Sequence, residues 1–278
     1  MGMQINNNAA ANNAYRNLNA TQGALGKSLE KLSSGLRINR ASDDAAGLTI
    51  SEGLRSQISG SKQAARNAQD GVSVIQTSEG ALTEVQSVLH RMRDLAVQGA
   101  YDSNNGAARL AIKGEADELG KELNRITEST NFNGIDLLKA GTKSIQVGAG
   151  ATANDKIDIK LADVATDVGA LSGATGATDF VVTDATAAAT TITKLDAAID
   201  KVSTTRAGLG ATQNRLESAI NTLNVSSENL SASESRIRDT DMASEMVNYT
   251  RANILSQAGT AMLAQANQSN QGVLKLLG

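Results

Sequence analysis

GLRINRASDDAAGL, residues 35–48, sets two arginines and two adjacent aspartates between two heptad-patterned runs. Before it come Ala11, Tyr15, Leu18, Leu25, Leu29, Leu32 and Leu36, with Gln22 at the one missed position. After it, Leu54, Ala68, Ile75, Leu82, Leu89 and Ala96 share one phase, with Ser61 interrupting, while Ile58, Ala65 and Val72 fill the companion phase. A sustained repeat of about 3.5 residues reads as a coiled-coil seam. The charged stretch therefore ends one helix and starts another. A counterpart lies near the other end of the chain: INRASDD (38–44) and IRDTD (237–241) both run isoleucine, an arginine, then a hydroxyl residue followed by aspartate. Ser42 and Thr240 are the expected N-caps of the following helices. Asp43, Asp44 and Asp241 supply the negative charge favoured at helix starts. With Arg37, Arg40, Arg238 and Asp239 they form two matched charged spokes.

Further along, GAYDSNNGAA (99–108) reads as a turn. A third helix carries Ile112, Leu119, Leu123 and Ile126, and STNFNG (129–134) ends it in a loop. The period then switches to two, at Ile145 and Val147 and again at Ile157, Ile159 and Leu161, with turn formers between, which predicts a β-hairpin. Residues 162–190, rich in Ala, Thr, Gly and Asp, read as a short surface excursion with DFVVTD as a candidate second hairpin. Leu195, Val202, Leu209, Leu216, Leu223, Leu230 and Ile237 then hold one phase over seven heptads. The last segment places Met246, Tyr249, Ala252, Leu255, Ala258, Met262 and Ala266 on one stripe, which should pair with the first helix. The predicted fold is mainly α: long antiparallel coiled-coil-like rods with a small β-hairpin, arranged as a core layer and an inner shell. The expected divisions are 1–42 and 238–278 for the core layer, 43–161 and 191–237 for the rods, and 162–190 for the variable excursion.

Composition narrows the function. The 278 residues include no proline, where average usage of about 5% predicts about 14. Long uninterrupted helices are thus permitted. Cysteine and tryptophan are absent and aromatic content is 2%, so the core must be thin and aliphatic. A net charge of −3 implies no basic face for nucleic acid. No apolar run is long enough for a membrane span, and MGMQINNNAAANN has no secretory leader pattern. The lone His90 has no companions for a zinc site, which usually takes at least three protein ligands. Asp43 and Asp44 could act as acid and base only in a dehydrated pocket. No catalytic, metal or cofactor residues are expected.

LSSGLRINRASDDAAGLTISEGLRSQI (32–58) resembles the N-terminal signature of bacterial flagellin, and RIRDTDMASEMVNYTRANILSQAGTAMLAQANQSNQGVLKLL (236–277) its C-terminal signature. The resemblance implies a subunit of the extracellular flagellar filament, exported unfolded and used as a propeller. It implies a filament-core interface built from Ala11, Tyr15, Leu18, Leu25, Leu29, Leu32, Met246, Tyr249, Leu255, Ala258, Met262, Leu274 and Leu277, with the terminal segments ordering only in the polymer. Implied partners are other copies of the chain, an export chaperone at the C-terminal segment, hook-associated and cap proteins, and host Toll-like receptor 5. LHRMRDLAVQ (89–98) is similar to the stretch read by that receptor; the resemblance assigns Leu89, Arg91, Leu95 and Gln98 to the contact, with Glu115 from IKGEADEL, and Asp94 stands where many members have glutamate. The alternative within the superfamily is the hook–filament junction protein.

Overall fold

The structure, a computed structural model, describes residues 8–161, 163–172 and 180–277, leaving aside the side chains of residues 170, 172 and 269–277. The elements are α1 (Ala9–Ser34), α2 (Ala45–Gly99), α3 (Gly106–Ser129), β1 (Asn131–Phe132), β2 (Ile135–Asp136), β3 (Gly141–Gln146), β4 (Lys156–Leu161), α4 (Val164–Ser172), α5 (Ala185–Arg238) and α6 (Met242–Leu277). Packing divides the chain into two units, residues 1–56 with 229–278 and residues 57–228. The divisions therefore fall inside α2 and α5, whereas the expected ones lay at the charged interruptions, because both long helices contribute to both units.

The larger unit is a bundle. Gly71 faces Leu216, the Gln86 side chain accepts a bond from Arg206 Nη1, and Arg93 Nε donates to Asp196 at 2.6 Å. Residue numbers fall on α5 as they rise on α2, so the two helices run antiparallel. The 3.5-residue pattern delivers its large residues to this seam: Ile75, Leu82, Leu89, Leu195 and Leu216 are fully buried. Each such side chain contributes about 1.5–3 kcal/mol on burial. α3 returns along α2 and adds Ile112, Ala116 and Leu123 to the same core. The α5 seam thins past Leu216, since Leu223, Leu230 and Ile237 are only half-buried.

β3 and β4 form the antiparallel hairpin, with Ile145 opposite Ile157 and Gly141 opposite Leu161. Alternation turns Ile157, Ile159 and Leu161 inward, and Ile145 packs over Gly71 of α2. Two expectations fail here. STNFNG is not a plain loop: Asn133 and Gly134 both take positive φ (51° and 77°) and close a two-residue turn between β1 and β2. Asn-Gly is the pair that tolerates such a turn. The span 162–190 is not only a surface excursion. α4 packs on α3, and Val164, Val168 and Leu171 are buried. DFVVTD forms no hairpin among the described residues: Asp179 lies outside them, Phe180 and Val182 are buried, and Asp184 Oδ1 accepts from Ala187 N–H to start α5 at Ala185. Val182 closes so tightly on Gly99 that an added Cβ would lie 2.8 Å from it.

In the smaller unit, α1 and α6 pair antiparallel. Asn8 Nδ2 donates to Ala266 O at one end, while Leu36 bridges Asp239 at the other. The seam is the expected stripe only in part: Ala11, Leu18, Leu25 and Leu32 of α1 and Tyr249, Ala252 and Ala266 of α6 face inward as expected. The inward positions are Ala11, Ala14, Leu18, Thr21, Leu25, Ser28 and Leu32 on α1, and Glu245, Tyr249, Ala252, Ser256, Gly259, Leu263 and Ala266 on α6. Tyr15 and Leu29, and likewise Met246, Leu255, Ala258 and Met262, face outward. The α6 seam mixes Tyr249 and Leu263 with small and polar residues, so an apolar search finds only part of it. Gly259 lets the helices approach closely: an added Cβ there would sit 3.2 Å from Leu18 Cδ1.

Candidate functional site

The charged interruption is a built junction. α1 stops at Gly35, whose φ of 72° is left-handed and suits glycine, and whose N–H donates to Lys31 O at 2.8 Å. The chain then pairs with its counterpart. Arg37 N–H donates to Arg238 O at 2.6 Å, Thr240 N–H donates to Gly35 O at 3.0 Å, and the Arg37 guanidinium reaches Ile237 O at 2.5 Å. Ile38, 1% exposed, anchors the crossing against Gly47.

The capping residues differ from those expected. Ser42 lies in the turn before α2, and Asp44 is the cap, its Oδ1 accepting from Gly47 N–H at 2.9 Å. Asp241 rather than Thr240 caps α6, accepting from Ala243 and Ser244 N–H. A carboxylate at the position just before the helix reaches these free N–H groups, and its charge suits the helix start. Asp43 does different work: it accepts from Arg40 and Asn39 N–H at 2.9 and 3.2 Å and so closes the turn. Those two backbone bonds, Arg40 first, hold its carboxyl below the ordinary aspartate range. Arg40 Nε and Asn39 Nδ2 in turn donate to Glu30 of α1.

Arg238 joins the two spokes to α2. Its Nη1 donates to Glu52 at 2.6 Å, and its side chain is only 12% exposed. The bond from Arg238 is the main reason the Glu52 carboxyl is held below its ordinary range. The folded values of Asp43 and Glu52 are depressed. Their contribution is therefore complete above the unfolded values, about 3.9 and 4.3, and is lost as pH falls through the lower folded values. Acidification below about pH 4 is expected to loosen the junction. Hydrogen exchange at Arg37 and Thr240, corrected for intrinsic rates, checks this. Unchanged protection at low pH would exclude it, and Glu52→Gln should remove the Glu52 part of the acid dependence. Glu30 and Glu52 were missed in the sequence because they lie outside the matched charged motifs, and Ile38, which opens one of them, was given no role there.

The terminal helices leave a broad apolar surface. In the whole of α1 only Leu18 and Ser28 are buried. On α6, Met246, Val247, Ile254 and Leu255, each more than half exposed, line an open hollow with Thr250 and Arg251. Met262, Tyr15 and Leu29 add 66%, 56% and 53% exposed apolar side chains. An exposed apolar hollow such as that of Met246, Val247, Ile254 and Leu255 marks an interaction site. Leu274 and Leu277 lie where the side chains fall outside the described residues.

The residues grouped by receptor resemblance separate into two sets. Leu89 and Leu95, 0% and 2% exposed, belong to the bundle core and cannot present themselves to a partner. Arg91, Gln98 and Glu115 are exposed, and Arg91 Nε donates to Glu115 at 2.9 Å, linking α2 to α3. Among the described residues no group of three or more His, Cys, Asp or Glu could hold a metal, and no helix is long and apolar enough to cross a membrane.

One unit pairs the helices of the chain ends, and the other is a long-helix bundle carrying two short antiparallel hairpins; together they define a mainly helical protein. The family model described as bacterial flagellin N-terminal helical region matches residues 5–144, and that described as bacterial flagellin C-terminal helical region matches residues 192–277. The chain belongs to the bacterial flagellin family. Flagellin of Halalkalibacterium halodurans is 50% identical over 277 residues, covering 99% of this chain and 100% of that protein. Flagellin of Bacillus subtilis is 46% identical over 303 residues, again 99% and 100%. The flagellar filament 31.3 kDa core protein of Treponema maltophilum is 43% identical over 285 residues, with the same coverage. A crystal structure of Bacillus cereus flagellin aligns with a TM-score of 0.48 and 32% identity, over 57% of this chain and 88% of that one.

Proposed function

We propose that this chain polymerises as the structural subunit of an extracellular flagellar filament that drives swimming. One observation carries the reading: α1 and α6 bury few side chains fully, while Tyr15, Leu29, Met246, Val247, Ile254, Leu255 and Met262 stand exposed. Helices so poorly covered are marginal alone. Further copies would supply the missing burial, and a heterologous contact that does not close produces an open helical polymer. In this reading the paired termini form the filament core, the rods the surrounding shell, and the two spokes the connection between them. Tyr15, Leu29, Met246, Leu255, Ala258 and Met262 are then contacts between subunits. The same α6 face is where an export chaperone would bind before assembly, and hook-associated and cap proteins would meet it at the filament ends. Adding filament seeds to the purified chain and viewing the product by electron microscopy tests the proposal. Elongated filaments are expected; a chain that stays monomeric at every concentration with seeds present refutes it.

A second reading concerns the host. The Arg91–Glu115 pair brings together two positions that the sequence placed apart, on an exposed face of α2 and α3. We propose this pair, with Gln98, as the surface read by Toll-like receptor 5. Binding of the soluble receptor ectodomain to Arg91→Ala should weaken relative to the parent chain; equal binding removes the assignment.

A further inference from the structure

We propose that the outward face of α6 is an oxidation site, at which peroxide-class oxidants convert Met246 and Met262 to sulfoxides in the free subunit and thereby keep it out of the polymer. The inference rests on the assembly reading above and adds a chemical control to it.

The methionines are distributed unevenly. Of the four among the described residues, Met92 is wholly buried in the bundle. The other three all stand on α6, with Met242, Met246 and Met262 at 47%, 51% and 66% exposure. Met242 and Met246 are one helical turn apart, and Met246 helps line the apolar hollow with Val247, Ile254 and Leu255. The chain has no cysteine, so its only sulfur chemistry is thioether chemistry, and among the described residues the accessible part of it is gathered on α6. Oxidation of methionine follows exposure.

The chemistry needs no catalyst. A lone pair on the thioether sulfur attacks one oxygen of hydrogen peroxide. An S–O bond forms and the O–O bond breaks; sulfur gives up two electrons, and the second peroxide oxygen leaves as water. The product carries a strong S–O dipole in place of a flexible apolar group. On the free subunit that dipole faces water at little cost. In a subunit contact it must be stripped of water opposite aliphatic side chains, which disfavours the contact. Polymerised subunits would cover the same sulfurs, so assembly and oxidation exclude each other. Enzymes that reduce methionine sulfoxide reverse the change.

The test uses the full-length chain, hydrogen peroxide and peptide mass spectrometry, applied to free subunits and to seeded polymer. In the free subunit Met246 and Met262 are expected to oxidise at least about tenfold faster than Met92. In the polymer they should be protected. Peroxide-treated subunits should elongate seeds about tenfold more slowly or not at all, with recovery after methionine sulfoxide reductase. The chain carrying Met242→Leu, Met246→Leu and Met262→Leu keeps an apolar face without thioethers and should elongate equally before and after peroxide. Treated parent chain that elongates at the untreated rate overturns the inference alone. Equal loss in the triple-leucine chain does the same, because the damage would then lie elsewhere; so does failure of the reductase to restore the treated parent. Untreated parent chain that never elongates overturns the assembly reading, and this inference with it.

Discussion

Ile254→Asp is expected to stop filament elongation while leaving the subunit folded. Ile254 is 60% exposed at the middle of the outward α6 face, and in the free chain it touches little that a carboxylate would disturb. A surface substitution of this kind changes stability by about 0.5 kcal/mol or less. In a subunit contact the same group must lose its water among Met246, Val247 and Leu255 of its own helix and the apolar surface of the next copy. Burying an unpaired charge there costs several kcal/mol, or about 3 kcal/mol even with partial compensation. A loss of that size at each repeating contact lowers the association constant by more than about a hundredfold per contact, so no polymer should form at concentrations where the parent chain elongates. Ile254→Lys should act in the same way, although Arg251 one turn earlier would partner the aspartate and repel the lysine. Agreement between the two variants would show that desolvation, not the sign of the charge, is the cause. Seeded elongation followed by light scattering, with helicity measured in parallel, reads both. Filaments from either variant at the parent rate would remove this face from the interface.

Leu95→Asp should have the opposite character. Leu95 is 2% exposed, beside Met92 and Ala96 in the bundle core. The change removes a side chain whose truncation alone costs about 2–5 kcal/mol and adds a carboxylate with no partner. A loss above about 4 kcal/mol is expected, enough to unfold most of the larger unit. Receptor binding by this variant would fail along with the fold and would say nothing about a contact surface. Arg91→Ala is the informative companion, since Arg91 and Glu115 are exposed and their ion pair contributes about 1 kcal/mol at most. Thermal unfolding separates the two: a cooperative transition near that of the parent chain for Arg91→Ala, and none for Leu95→Asp. A parent-like transition in Leu95→Asp would mean that the bundle packs differently.

Where a seam is built from large aliphatic residues, its heptads could be read directly. Leu195, Val202, Leu209 and Leu216 were identified as one face and are buried as one face. The β3–β4 hairpin was equally legible, because Ile157, Ile159 and Leu161 alternate with charged residues and glycine-rich sequence precedes them. The α1–α6 seam was legible only in part, at Leu18, Leu25, Leu32, Tyr249 and Ala252 among others. Its inward positions on α6 include Glu245, Ser256 and Gly259, while the most hydrophobic residues, Met246, Ile254, Leu255 and Met262, point away. A search for apolar periodicity assumes that the most hydrophobic face turns inward within the same chain, and that assumption fails when a face is left for something else. The receptor resemblance, not periodicity, placed Leu89 and Leu95 in a contact surface; the heptad phase had already put Leu89 in the seam, and both are buried there. α4 escaped notice because its nine residues carry only Val164, Val168 and Leu171 as a stripe, amid small residues with weak pattern. The caps were misplaced by one or two residues, since Ser42 and Thr240 are plausible caps in sequence and only geometry shows that Asp44 and Asp241 reach the free N–H groups.

The bond from Asn8 to Ala266 spans 258 residues of chain. Closing a loop of that length is entropically costly, and the few buried side chains between α1 and α6 return little for it. Local helices and the α2–α3 turn form with far shorter closures, so the pairing of the two ends should be the slowest and last step of folding. A chain lacking its final segment could complete its bundle and yet leave α1 without its companion. The subunit is therefore made ready for its neighbours by the same late event that joins its beginning to its end.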